Sequence, residues 1–207
     1  MRDSPVRRLE DERDDGELVA VAARAFWHDP LFDFLANGDL LDEYRVLPHV
    51  FRAAMTDFRC DTAEVYVADV GERPRSLAGW LGPGTFPRSP RSRLARNLRA
   101  ATLLLRLRNR RAAAALLNEV ERRHPVEPHW YLALLATDPG AQGQGLGSSL
   151  LGPVLDRCDS EGTPAYTETQ KHENVSWYRR SGFVVIDEIR LGQTPTIWRL
   201  WRDPQRA

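Results

Sequence analysis

The stretch "TDPGAQGQGLGSSLL", Thr137–Leu151, lies between an apolar run and a helix-periodic segment, with Gly143, Gly145 and Gly147 placed where a strand should hand over to a helix. A Gly-x-Gly-x-Gly run entering a helix presents several backbone N–H groups in one direction, with no Cβ to block an approaching ligand. Hydrogen bonds to a charged group contribute roughly 1.5–3 kcal/mol each, against about 0.3–1 kcal/mol for a helix dipole. Convergent amides therefore dominate, and a pyrophosphate uses them best. Two common nucleotide motifs do not fit. A phosphate loop ends in Gly-Lys-Ser/Thr, but Lys171 is the only lysine in the chain. A dinucleotide fingerprint read from Gly143 puts Ser148 at the third glycine and falls late in the sequence. The glycines alone also admit a plain strand-to-helix turn without a ligand.

Outward from this stretch, "HWYLALLATD" reads as the strand before it, and the helix after it sets Leu146, Leu150, Leu151, Val154, Leu155 and Cys158 on one face. Pro153 is a potential kink, and Gly162 with Pro164 ends that helix. A strand "PAYTET", a short helix over about 174–180 closed by Gly182, and two strands, "FVVIDEIRL" and "PTIWRLW", complete the chain. Upstream, the pattern predicts a short strand over 5–11, a helix over 17–28, and a helix over 42–58 in whose first turns Pro48 lies, or which it divides. "AEVYVADV" and "SLAGWLG" then form a hairpin joined by "GERPR". This order predicts a mixed α/β sheet covered by helices.

With 207 residues, 42% of them hydrophobic, the chain suits one domain over 1–207. An Arg-, Leu- and Ala-rich helical insertion is expected over about 87–123. Net charge is zero, which gives no global reason to expect a polyanion partner. Basic charge is nonetheless concentrated from Arg88 to Arg111, so a solvated face, an anionic ligand or nucleic acid stays open for that segment, with nucleic acid disfavoured for want of a reader motif. No window approaches membrane-spanning length and no signal core follows the first basic residues, so a cytoplasmic protein with no membrane partner is expected. Cys60 and Cys158 lack CxxC spacing, so two reduced thiols and no metal site are expected.

Gln142, Gly145 and Gly147 fit the Gln/Arg-x-x-Gly-x-Gly/Ala signature of the GNAT superfamily of N-acetyltransferases, which the chain resembles. "EPHWYLALLATD", "QGQGLG", "TET" and "NVSWYRRSGF" further resemble its puromycin N-acetyltransferase branch. The likeness is strong from Glu127 to Leu200 and weak in the N-terminal half. It implies a GNAT fold: a mixed, mostly antiparallel sheet, splayed between two central strands and flanked by helices. It also implies acetyl-CoA as cosubstrate, its pyrophosphate on the amides of Gln142, Gly143, Gln144, Gly145, Leu146 and Gly147. The pantetheine arm would enter a cleft bounded by Thr137 and Glu168, with an N–H near Leu135 or Ala136 stabilising the oxyanion. Asn174 matches a cofactor contact and Tyr178 the general acid; the plain readings are a helix N-cap and a packed aromatic.

A phenol of pKa about 10 can protonate a departing thiolate whose thiol has pKa about 8.5, and Tyr178 lies one helical turn after Asn174. The attacking amine must be neutral, which calls for a base; Glu127 and Glu168 are the candidates. His129 is read as a rim histidine with a proton relay as the alternative, and His28 and Asp29 as acceptor-side residues or merely a helix-ending turn. The expected acceptor is a small-molecule primary amine, an aminonucleoside antibiotic or a metabolite. A protein acceptor, a non-catalytic acyl-CoA sensor and a homodimer stay open.

Overall fold

The structure, a computed structural model, describes residues 6–10, 14–86 and 109–205. Seven strands form one sheet in the order β1-β2-β3-β4-β5-β7-β6: β1 Val6–Arg8, β2 Ala63–Val70, β3 Arg73–Leu81, β4 Trp130–Thr137, β5 Ala165–Thr169, β6 Val184–Ile189 and β7 Ile197–Arg202. Only β4 and β5 run parallel; the other pairs are antiparallel. The helices are α1 Asp15–Ala25, α2 Pro30–Leu35, α3 Leu40–Asp57, α4 Arg110–Arg123, α5 Leu146–Glu161 and α6 His172–Arg179. This is the expected mixed, mostly antiparallel sheet flanked by helices. The basic run from Arg88 to Arg108 falls outside the described residues, and α4 carries the end of the expected insertion.

Among the described residues, the two largest apolar clusters sandwich the sheet. On one face Leu146, Leu150, Leu151, Val154, Leu155 and Cys158 of α5 pack with Val175 and Tyr178 of α6, so the face set by 3.6-residue periodicity is the buried one. On the other, Leu18, Val21 and Ala22 of α1 and Leu47, Phe51 and Met55 of α3 pack on Val67, Leu77, Leu134 and Ala136.

Several boundaries differ from expectation, each for a local reason. The first helix stops at Ala25, because Asp29 caps a separate α2 by accepting from Leu31 N (3.0 Å) with Pro30 in its first turn. Pro48 neither starts nor divides α3, which runs continuously through it. The hydrogen bond it forfeits would go to the carbonyl of Tyr44, a residue 66% exposed. Strand β3 starts at Arg73 despite Pro74, which pairs with Asp69 beside a bulge.

The bulge that matters most is in β4. Trp80 pairs with Leu132 and Gly79 with Leu134, which leaves Ala133 as the extra residue. Trp130 N still donates to Pro164 O, on the β5 side. Beyond the bulge Asp138 N donates to Arg75 O, on the β3 side. Even-numbered residues of β4 have thus exchanged their hydrogen-bonding edge, and pairing with β5 stops at Leu132 and Thr167. The two central strands splay from that point.

Candidate active site

The glycine stretch continues from the open end of β4. Gly143 and Gly145 have φ of 75° and 81°, a region that L side chains enter only at a cost, and Gly145 is the left-handed N-cap of α5. No side chain caps this helix, so its first-turn amides at Leu146 and Gly147 point outward. Residues 142–145 are exposed. The Gln142 side chain braces the turn by donating to Thr137 O (3.2 Å). Asp138 holds its other end, accepting from Gly140 N (3.1 Å), Arg24 (2.6 Å) and Arg75 (3.2 Å). Burial alone would raise its carboxyl, but Arg24 and Gly140 hold it below the ordinary range.

Alternation along β4 beyond the bulge turns the N–H groups of Leu135 and Thr137 to the β5 side and that of Ala136 to β3. Of the two oxyanion candidates, Leu135 is therefore the one aimed into the splay.

On β5, Thr167 faces α5 and α6, and its hydroxyl donates to Leu132 O (3.0 Å) at the last paired position. The Tyr178 phenol lies beside it, buried against Trp177 and Phe183. Burial pushes that phenol up to about 12, with the Thr167 hydroxyl opposing the shift, so it is protonated at neutral pH. Asn174 is not an N-cap: Lys171 occupies that position and Asn174 is the third residue of α6, its Nδ2 donating to Thr169 Oγ1 (3.2 Å). Asn174 and Tyr178 thus reach the same face of β5, one turn apart.

Glu168 points to the opposite face, the first β5 residue beyond the last pair with β4. Its oxygens accept from Tyr131 Oη and Tyr166 Oη, both at 2.7 Å, and Arg199 Nε donates to Tyr166 Oη (3.0 Å). Burial raises the Glu168 carboxyl, opposed by the two tyrosines. Glu127 is exposed and precedes β4 at the closed end of the β4–β5 pair, away from the splay and from Glu168.

His129 is no rim residue. It is 4% exposed, its Nδ1 is 2.6 Å from the Glu127 carbonyl, and its Nε2 is 3.1 Å from Nε2 of His124. Nδ1 of His124 in turn lies 3.9 Å from Glu168. His124, Tyr131 and Tyr166 were missed in the sequence because nothing in their spacing links them to Glu168.

Asp29 is 2% exposed and accepts from Gln170 Nε2 (2.6 Å), with Lys171 Nζ at 3.7 Å. The α1–α2 turn is thereby tied to the end of β5 across the mouth of the splay. Burial raises the Asp29 carboxyl despite these donors. His28 sits in the same turn but its side chain is 58% exposed. Its Nε2 accepts from Trp27 Nε1 (2.9 Å), which leaves the proton on Nδ1, toward Asp33. His28, Asp33 and Glu43 bring possible metal-ligating atoms within 4.8 Å of one another; of the ring nitrogens, Nε2 is taken by the Trp27 hydrogen bond and Nδ1 lies 3.7 Å from Asp33. Cys158 is fully buried and its thiol is pushed up to about 12 by burial, so it is not a ready nucleophile. No helix among the described residues is long and apolar enough to cross a membrane.

This architecture has known counterparts. A Schizosaccharomyces pombe protein, an uncharacterized N-acetyltransferase, is 25% identical over 196 residues, covering 86% of this chain and 74% of that protein. The crystal structure of a Corynebacterium glutamicum histone acetyltransferase HPA2 and related acetyltransferase superposes with a TM-score of 0.68 at 23% identity, covering 98% and 97% of the two chains. A Drosophila melanogaster polyamine N-acetyltransferase has a TM-score of 0.58 at 15% identity, covering 96% and 98%. These two structures share the fold. The acetyltransferase (GNAT) family profile matches residues 75–183, from β3 to the end of α6, more than half the chain. The bulged β4, the glycine turn and the Tyr178 helix all fall within that span, and the chain belongs to the GNAT family of N-acetyltransferases, whose acyl donor is acetyl-CoA.

Proposed function

We propose that this enzyme transfers acetyl directly from acetyl-CoA to the primary amine of a small molecule, an aminonucleoside or similar aromatic amine being the class to test first. The observation that carries this reading is the placement of Tyr178 and Glu168 on opposite faces of β5 at the point where β4 and β5 part. A thioester entering from the α5 face and an amine from the α1 face would meet at the splay. Amides at 142–147 hold the pyrophosphate, Asn174 lies along the cofactor arm, and Leu135 N–H receives the oxyanion. Tyr178 protonates the departing thiolate, and Glu168 accepts the proton that the amine sheds. Acids and bases so placed each contribute roughly 10²–10⁴-fold.

The Asp29 tie across the mouth favours an enclosed pocket and hence a small acceptor over a peptide groove. The resemblance of residues 127–200 to the puromycin branch, and the Tyr131 and Tyr166 rings beside Glu168, favour an acceptor with an aromatic group. The chain acts as one domain in this reading.

The test is to incubate the purified protein with acetyl-CoA and puromycin, tyramine, agmatine or a lysine-containing peptide, following thiol release and the mass of each amine. Acetylation of puromycin or tyramine supports the proposal. Acetylation of the peptide alone would replace the small-molecule reading with a protein acceptor. Acetyl-CoA binding without turnover on any amine would make the protein a sensor.

A further inference from the structure

We infer that His124 is a positioning residue that completes the base: held in its Nε2–H tautomer by His129, it turns the Nδ1 lone pair toward Glu168 and relieves that carboxylate of the amine's proton. This rests on Glu168 being the base.

The tautomers follow from the partners. The Glu127 carbonyl can only accept, so His129 carries its proton on Nδ1 at 2.6 Å. Burial lowers the proton affinity of His129, so this ring is neutral and its Nε2 has a free lone pair. Nε2 of His124, 3.1 Å away, must then be the donor. The remaining nitrogen of a neutral His124 is an acceptor, and it faces Glu168 Oε1 at 3.9 Å. Both atoms only accept at rest, which keeps them apart, and the contact becomes a hydrogen bond once Glu168 carries the amine's proton.

Aromatic rings hold the His124 ring. Phe86 stacks on it at 3.6 Å, and Tyr131 of β4 and Tyr166 of β5 meet it edge-on at 4.8 and 4.9 Å. The backbone N–H of His124 donates to the carbonyl of Glu121, at the end of α4. From β7, Arg199 donates to the Arg123 carbonyl and to Tyr166 Oη, its charge answered by Asp187 at 2.9 Å. Among the described residues, Glu168, His129, Tyr131, Tyr166, Arg199 and Glu121 are charged or titratable groups beside His124.

The chemistry explains why a carboxylate would need this help. An alkylammonium has a pKa of about 10.4, a carboxylic acid about 4.3 and an imidazolium about 6.5. A lone carboxylate is a poor match for an amine proton, whereas an imidazole titrates near working pH. In the step, the N–H bond of the attacking amine breaks as an O–H bond forms on Glu168, and its electron pair stays on nitrogen, balancing the new C–N bond. The O–H bond then breaks as an N–H bond forms at His124 Nδ1. The end state is a carboxylate–imidazolium pair, which loses its proton to water on product release.

The full-length protein labelled with ¹⁵N-histidine tests this without an acceptor. Long-range ¹H–¹⁵N spectra from pH 5 to 9 should show His129 as the Nδ1–H and His124 as the Nε2–H tautomer. The His124 midpoint should fall by a unit or more in Glu168→Gln. An Nδ1–H tautomer of His124, or a midpoint indifferent to Glu168→Gln, overturns the inference.

Kinetics, with whichever of puromycin, tyramine or agmatine accepts acetyl, separates the two claims. His124→Phe keeps the ring stack but no nitrogen; kcat should fall about 10²-fold, the acidic limb of kcat/KM should move down, and KM for acetyl-CoA should hold. His129→Gln, whose amide oxygen can accept from His124 Nε2, should restore what His129→Leu loses. An inactive Glu168→Gln beside a His124→Phe enzyme with the wild-type profile overturns the positioning role alone. A fully active Glu168→Gln overturns the base itself.

Discussion

Tyr178 and Glu168 stand on opposite faces of β5, the phenol beside Thr167 on the α5 face and the carboxylate accepting from Tyr131 and Tyr166 on the α1 face. Only a gap between β4 and β5 lets groups so separated act on one reacting centre. The bulge at Ala133 makes that gap by ending the pairing at Leu132 and Thr167.

Removing the phenolic hydroxyl while keeping the ring should isolate the acid. Tyr178→Phe is expected to lower kcat by about 10²-fold or more, with KM for acetyl-CoA unchanged. Its thermal midpoint should stay near wild type, since packing against Trp177 and Phe183 is retained. Single-turnover kinetics beside a melting curve checks this; an unchanged chemical step would remove Tyr178 from the mechanism.

Glu168 should trade stability for activity. Burial raises its carboxyl in the folded chain, so folding holds that proton more tightly than the unfolded chain does. Its contribution is fully favourable below the ordinary carboxylate range and is lost as pH rises through the elevated folded value. Glu168→Gln keeps an acceptor for a tyrosine hydroxyl but no charge. It should abolish activity and raise the melting temperature at pH 8, by about 2–4 °C for each kcal/mol recovered. That gain should shrink as pH falls toward 4.

The glycine turn should be sensitive through its backbone. A Cβ at Gly145 meets nothing within 4 Å, so space is not the obstacle. At φ of 81°, Gly145→Ala should cost about 1–2 kcal/mol and weaken acetyl-CoA binding about tenfold by calorimetry. Gly152→Ala, on the same helix with open space and no positive φ, should leave binding unchanged.

Asp29 joins cap and tie in one carboxylate. Asp29→Ala removes the acceptor for Leu31 N and should destabilise by about 1 kcal/mol, whereas Asp29→Asn keeps that acceptor. Both remove the charge facing Lys171. If the tie shapes the acceptor side, the amine KM rises in both and the acetyl-CoA KM holds. Equal changes in the two KM values would place Asp29 outside the acceptor pocket.

Much of the fold is local physics and is legible in the chain. The buried face of α5 follows from spacing, the hairpin of β2 and β3 from two alternating runs around Gly71, and the end of α5 from Gly162, whose φ is 70°. The same locality set the limits. Asn174 carries a capping side chain, yet the helix starts earlier because Lys171 occupies the extended cap position. The sequence places His129 on the rim because the rings that bury it arrive from β5 and Phe86.

By itself the sequence determined the strands in their order along the chain, the glycine-rich turn from strand to helix at 143–147, the buried face of α5 and the placement of Asn174 and Tyr178 one turn apart. Each depends on residues within a few positions of one another, where backbone sterics and helical or strand periodicity decide the outcome. Only the tertiary structure decided where the sheet opens, which of the N–H groups of Leu135 and Ala136 faces the gap, and that Glu127 lies apart from Glu168. It alone joined Asp29 to Gln170 and His124 to Glu168, because those contacts close long loops of chain and depend on the sheet that brings the loop ends together.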